Sequence, residues 1–353
     1  MRGLNDFAPK RKRVFVISLF AILFFFLFPS LSFSEEKIQY LKKVGEIKDG
    51  FSSERENFFI KITGLCCDDE GNLYVADSGW NKIFKFDSNG KFLMSFGREG
   101  QGPGEFMAGK LMNQLRISFG NDKRIYVNDP GNQRISIFSK NGTLIRTVKT
   151  PHRAIDSPVV NSKGDIYLIS PSGIKVIDCY DSNFKLKASI LDLDSYFEFP
   201  FGKPPDLPGG LVRKPTYLDT LKLITKNDEL IIVSNYSFKV FVFDKNNNKI
   251  KEFKITEKRF IEDYERVIKK VIKEGAFLNP FEAFIDKNDN ICLAYFNERD
   301  KVSEVYVYST TGKYLGRLLF PEKIISFWIS GNKKFDFIYA LKNHSTTVAI
   351  FEH

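Results

Sequence analysis

The 353-residue chain is short of the residues on which most metal and nucleophile chemistry depends. Histidine occurs only at 152, 344 and 353. A zinc lyase would need about three histidines meeting at one point. His353 is terminal, His344 falls in a loop, and neither shares a repeat position with His152. The four cysteines, Cys66, Cys67, Cys179 and Cys292, form no Cys-x-x-Cys pair, which removes the redox and zinc-ribbon patterns. Adjacent Cys66 and Cys67 would point to opposite faces of a strand. A disulfide stays open with its pairing undetermined, and packing as small apolar side chains is the simpler reading. No Gly-x-Ser-x-Gly elbow is present. Gly100-Gln101-Gly102-Pro103-Gly104 lacks the Lys-Ser and the helix that a phosphate loop requires, so it reads as a link between repeats.

Long apolar runs are also scarce. The one long run, Val14 to Phe28, interrupted only by Ser18, follows the basic cluster Lys10-Arg11-Lys12-Arg13 and precedes Ser32-Phe33-Ser34. Its length suits a signal peptide over residues 1–34 cleaved before Glu35, with retention as an anchor the alternative and the one route to membrane contact. An exported protein, periplasmic or extracellular, is expected. The whole chain carries +10, and the leader holds five basic residues and Asp6, which leaves +6. A small excess over that length favours solubility and gives no nucleic-acid footprint.

What the sequence does have is repetition. Gly71-Asn72-Leu73-Tyr74-Val75-Ala76-Asp77 is a turn followed by an alternating strand, and six copies align on Tyr74, Tyr126, Tyr167, Ile231, Cys292 and Tyr339. A second strand in each copy ends in an aromatic: Phe86, Phe138, Tyr180, Phe243, Tyr308 or Phe351. One aromatic per repeat in the same column is what stacked sheets need between them. Polar turns such as Asp87-Ser88-Asn89-Gly90 and Ser139-Lys140-Asn141-Gly142 follow, then a further strand. The pattern predicts an all-β, six-bladed β-propeller over residues 35–353, with four antiparallel strands per blade. The sixth copy ends two residues after Phe351, and Gln39–Gly45 matches the outer strand Lys91–Gly97. The N-terminal strand is therefore expected to complete blade six and close the ring.

Ile62-Thr63-Gly64-Leu65, Asp77-Ser78-Gly79, Lys82-Ile83-Phe84-Lys85-Phe86-Asp87 and Phe96-Gly97-Arg98-Glu99-Gly100 resemble the NHL repeat. Blade two keeps the pattern in Asp129-Pro130-Gly131-Asn132-Gln133-Arg134-Ile135, while blades three to six lose the Asp and the glycines. The resemblance covers residues 37–353. It implies the propeller fold and leaves function open, because NHL propellers include protein-binding, RNA-binding and lyase members.

Intervals along the Tyr74 column are 52, 41, 64, 61 and 47 residues. The two longest mark insertions at about 192–218 and 257–277, both between the outer strand of one blade and the inner strand of the next. Both should emerge on one face, flanking blade four, which singles that face out for binding. The first carries Tyr196, Phe199, Phe201, Arg213 and Lys214 among prolines and glycines. It reads equally as a contact surface or as a plug packed on the blades. The second reads as a helix capped by Thr256 and ended by Gly275. Its apolar stripe runs through Phe260, Ile261, Tyr264 and Val267 and is expected to pack on the propeller.

Asp77 and Asp129 could form a polar rim for a ligand, though fastening their own turns is the favoured alternative. Asp68-Asp69-Glu70-Gly71-Asn72 and Asp286-Lys287-Asn288-Asp289-Asn290 look like calcium loops, yet the second has Ile291 where glycine is needed, and hairpin turns explain both. Lactonase propellers hold calcium in the channel. Innermost-strand carboxylates such as Asp219, Glu282 and Asp286 exist here, but no motif selects them, so no cofactor is expected. The expectation is a module that binds or scaffolds protein, peptide or glycan, with no catalytic residues assigned. The alternative is a metal-dependent propeller enzyme, a lactonase-like hydrolase or a lyase, working at the channel mouth.

Overall fold

The computed structural model describes residues 37–353, apart from 54–56, 109–113, 151–155, 173, 194–219, 235–236, 263–280, 298–300, 325–328, 333, 335, 343–345 and 353. Residues 1–34 and the proposed cleavage point thus lie outside the described residues. Among the described residues no helix is long and apolar enough to cross a membrane.

Apart from a helical turn at 258–262, the regular structure of the described chain is β. Six inner strands, Ile62–Cys67, Arg116–Phe119, Val159–Val160, Thr220–Ile224, Phe281–Ile285 and Ile329–Gly331, touch one another in cyclic order, the last returning to the first. Each begins an antiparallel sheet running outwards from the centre. This is a six-bladed β-propeller.

Period-two alternation explains why the blades stack. Along the second strand of blade one, Leu73 and Val75 face blade six, whereas Tyr74 and Ala76 face blade two. In blade four, Ile231 and Val233 face blade five and Ile232 faces blade three. Both faces of the middle strands are therefore apolar, and each of the six blade interfaces holds its own buried cluster. All six column aromatics are buried within them. The tyrosines do more than fill space. Tyr74 Oη donates to Lys140 O (2.9 Å), Tyr339 Oη to Ser88 O (3.0 Å) and Tyr167 Oη to Asn247 Oδ1 (3.0 Å), each reaching the outer turn of the next blade. In those outer turns Gly90, Gly142 and Gly312 sit at φ of 86°, 76° and 85°, the left-handed conformation the tight hairpin demands.

The N-terminus completes blade six, with a difference. Lys42–Ile47 pairs antiparallel with Val348–Glu352 and supplies the missing outer strand. The residues before it, Ile38–Tyr40, instead pair in parallel with Tyr314–Leu319 and give blade five a fifth strand. The expected single strand is split at Leu41, whose N–H donates to Leu319 O (2.8 Å) and whose side chain is buried between blades five and six. Burying that leucine at the seam requires the chain to change sheets there.

The segments expected as insertions leave the outer strands Leu186–Asp192 and Lys249–Lys254 and rejoin at Thr220 and Phe281. Of the expected helix, residues 258–262 are described and helical. Its cap is Glu257 rather than Thr256, because Glu257 O accepts the first helical bond, from Ile261 N (3.0 Å). The Glu257 carboxylate accepts bonds from Tyr308 Oη and, at 3.2 Å, from Thr256 N. Phe260 is fully buried against Phe238, Tyr295 and Tyr306, so the start of the stripe packs on blades four and five as expected.

Candidate functional site

The motif residues of blades one and two are fasteners. Asp77 is fully buried; its Oδ1 accepts from Lys61 N (3.0 Å), Gly79 N (2.7 Å) and Trp80 N (3.2 Å), and its Oδ2 from Ile60 N (2.7 Å). It ties the chain arriving at blade one to the turn leaving the second strand. Ser78 Oγ accepts from Leu115 N (2.9 Å) and Asn81 Oδ1 from Ala108 N (2.7 Å), tying down the departing connection. Asp129, also fully buried, accepts from Met107 N and Asn132 Nδ2 (2.6 Å), and burial pushes its carboxyl upward. At Gly131 a Cβ would lie 1.8 Å from Met107 O, so only glycine lets the connection pass. Arg134 then donates to Gln101 O, Gly102 O and Glu105 O, clamping the glycine-rich link. Neither Asp77 nor Asp129 presents a carboxylate to solvent. Tyr196, Phe199, Phe201, Arg213 and Lys214 lie outside the described residues, as do Asp219 and the three histidines.

The two ends of the central channel differ. At one end lie the turns between first and second strands, and each neighbouring pair of these is joined. Lys123 pairs with Asp69; Asn121 N donates to Val160 O (3.0 Å), Ser162 N to Asp228 Oδ1 (2.9 Å), and Lys226 N to Asp289 Oδ1 (3.0 Å). Lys287 pairs with Asp336, and Asn332 Nδ2 donates to Gly71 O (3.0 Å), which closes the circle. Asn121 Nδ2 also passes over blade three to reach Thr225 O (2.8 Å) and Asp228 Oδ1 (2.7 Å) of blade four. The supposed calcium loops belong to this ring as turns. Asp68 Oδ1 accepts from Glu70 N and Asn72 N, and Asp286 Oδ1 from Asn288 N and Asn290 N, the pattern of a side chain closing its own hairpin.

At the other end the outer strands finish and the inner strands begin, among them Leu186–Asp192, Lys249–Lys254, Thr220–Ile224 and Phe281–Ile285. Here four ionisable side chains gather on or beside the inner strands. Arg116 Nη1 donates to Thr63 O (3.1 Å), Gln114 Oε1 (3.1 Å) and Leu115 O (3.4 Å), and burial lowers its pKa to about 10 against the pull of Glu282 and Asp156. Lys222 is buried and paired with Asp156, and donates to Ser157 O (2.9 Å). Asp156 is held in turn by Ile169 N (3.2 Å), while Asn128 Nδ2 donates to its carbonyl (2.9 Å). Glu282 is half-buried, and burial pushes its carboxyl up to about 8, with Arg116 pulling the other way. Among the described residues it makes no hydrogen bond and no ion pair.

The strand register places two of these groups opposite one another. Tyr126 pairs with Ser118 and Cys292 with Phe284, and two residues earlier on those inner strands stand Arg116 and Glu282. They occupy the same level on blades two and five, three blades apart in a ring of six. Glu282 and Asp286 lie at opposite ends of one strand, so the two carboxylates do not converge. Among the described residues, no three His, Cys, Asp or Glu side chains come together as a metal site. The four cysteines are free and buried, and burial pushes the Cys179 and Cys292 thiols up. Of the four mouth residues the sequence named only Glu282. Arg116 could have been found from its place in the inner-strand column, but Asp156 and Lys222 lie off that column. A shallow groove of about 900 Å³ lies elsewhere, on the outer flank between the Lys42–Ile47 strand and the Gly90 turn.

Residues 54–113 match a family profile described as "6-bladed beta-propeller". The architecture and the profile agree. No curated protein sequence resembles the chain closely enough to count as a relative. Among solved structures, a member of the DUF4221 family from Bacteroides vulgatus superposes with a TM-score of 0.56 at 11% identity, covering 88% of this chain and 97% of that one. A Bacteroides fragilis protein described as exported gives 0.55 at 10% identity, covering 90% and 98%. At these identities the likeness shows the fold alone. A virginiamycin B lyase from Staphylococcus aureus gives 0.49 at 11% identity, covering 89% and 99%, too slight to carry any chemistry across.

Proposed function

We propose that the protein is an exported NHL-type propeller that binds or scaffolds a protein, peptide or glycan through the face bearing both insertions. The observation that carries this reading is the unlike treatment of the channel ends: one is bridged from blade to blade, whereas the other keeps Arg116, Asp156, Lys222 and Glu282 around its mouth. Polar groups converging in a concavity beside long connections are a usual setting for recognition. The basic and apolar leader supports export, and a structural neighbour described as exported agrees with it. Capture from the exported fraction tests the reading, using the chain from Glu35 as bait. A variant carrying Tyr196→Ala, Phe199→Ala and Phe201→Ala should lose a partner that the wild type recovers. Lys226→Ala on the bridged face should keep it. Equal recovery by wild type and the triple variant overturns the assignment of the face.

A further inference from the structure

The inventory of charges at the open mouth leaves one group over. Arg116 is engaged by the Thr63 and Leu115 carbonyls and by Gln114, and Lys222 is engaged by Asp156 and the Ser157 carbonyl. Asp156 in turn holds Lys222 and the Ile169 amide. Both cations are therefore satisfied within the fold, and so is one of the two anions. Glu282 alone among these four has no partner in the described residues. A half-buried carboxyl without a hydrogen bond from the fold loses part of its hydration with no return, and a ligand that supplies the missing partner recovers that cost on binding.

We propose that the open mouth of the channel receives a cationic nitrogen, an amine or guanidinium group of the ligand, on the carboxylate of Glu282. The assignment rests on the reading of this face as the ligand face and names the chemistry that face selects. A cation is the complement because the two cations named there, Arg116 and Lys222, are already engaged within the fold. Ion pairing inside a partly desolvated pocket also gains more than a neutral hydroxyl could. Arg116 across the channel then acts as a filter: it repels a cation that enters off centre and leaves Glu282 as the seat.

The groups packed on the inner strand of blade five decide the pH behaviour. The inner strand of blade four brings Lys222, turned to Asp156, and that of blade six, Ile329–Gly331, brings no charge. The second strand of blade five sets Ala294 opposite Glu282 and brings Cys292 and Tyr295 along its length. Arg116 is thus the one charge that acts on Glu282. Below a pH of about 8 the carboxyl holds its proton, so seating a cation releases it.

Titration calorimetry with putrescine, and with 1,4-butanediol as its neutral counterpart, tests this on the chain from Glu35. Putrescine should bind one to one and the diol should not. Its affinity should rise about tenfold between pH 6 and pH 7 and level off above about 8, with close to one proton released per amine bound at pH 6. Glu282→Gln should weaken putrescine by tenfold or more while its thermal midpoint stays at or above that of the wild type. Equal binding of the diol, an affinity unchanged by Glu282→Gln, or an affinity independent of pH overturns the proposal. If putrescine fails while the aromatic triple variant still loses its partner, the cation seat falls and the ligand face stands. If putrescine binds through Glu282 and the triple variant keeps its partner, the seat stands and the face assignment falls.

Discussion

The two ends of the channel are built from the same strands and treated in opposite ways. At the bridged end each neighbouring pair of turns is joined, and the side chain of Asn121 reaches past blade three to blade four. At the open end the rim is fastened just as firmly, by Asp77 and Asp129, but the centre keeps an unpartnered carboxyl. The ring of turns thus holds together through contacts between neighbouring blades, whereas the other mouth keeps a carboxyl, Glu282, with no partner among the described residues. A half-buried, unpartnered group that lowers stability is retained where it has something to do.

Substitutions can break or sharpen this contrast. The largest effect is expected at the rim. Asp77→Ala leaves four backbone donors without their acceptor in a fully buried site and should cost about 3–5 kcal/mol in urea unfolding. A loss below about 1 kcal/mol would show that this rim is not a fastener. At the bridged end, Asp228→Ala removes the acceptor shared by Asn121 and Ser162 and should cost about 1–3 kcal/mol, with faster amide exchange in the neighbouring turns. At the open mouth the sign should reverse. The folded pKa of Glu282 lies above its ordinary 4.5, so the native state holds a proton that the unfolded chain has given up. Wild-type stability therefore falls as pH rises from 4.5 to about 8, a loss that Glu282→Gln does not share. The variant should gain about 1–3 kcal/mol over wild type between pH 4 and pH 9, read from thermal melts at both pH values. A parallel pH dependence of the two proteins would show that Glu282 is not the strained group.

The architecture was legible because a propeller repeats its physics: an apolar alternation, an aromatic and a glycine turn recur in register, and each recurrence confirms the others. Tyr74, Phe86 and Gly90 could be read in that way. Weaker copies stayed readable where strand order survived, even with Ile231 or Cys292 in the tyrosine column. The mouth was less legible for the converse reason. Arg116, Asp156, Lys222 and Glu282 come from four different blades and share no motif, so only the closed ring brings them together. Asp77 and Asp129 stood out in the sequence because a fastening turn needs a fixed pattern, and a binding site on a repeat fold needs none. The split at Leu41 escaped notice since three residues of parallel pairing leave no periodic trace.

That split strand has a temporal side. Residues 38–47 are held by partners some three hundred positions further along the chain, on two blades at once. Nothing nearby can satisfy them, so this segment waits through the whole of synthesis for its place. Closing so long a loop is the slowest kind of contact to form. The ring can therefore lock only after the last strand has been made, and until then residues 38–47 lack their strand partners. A chain arranged in this way cannot close its ring while its far end is missing.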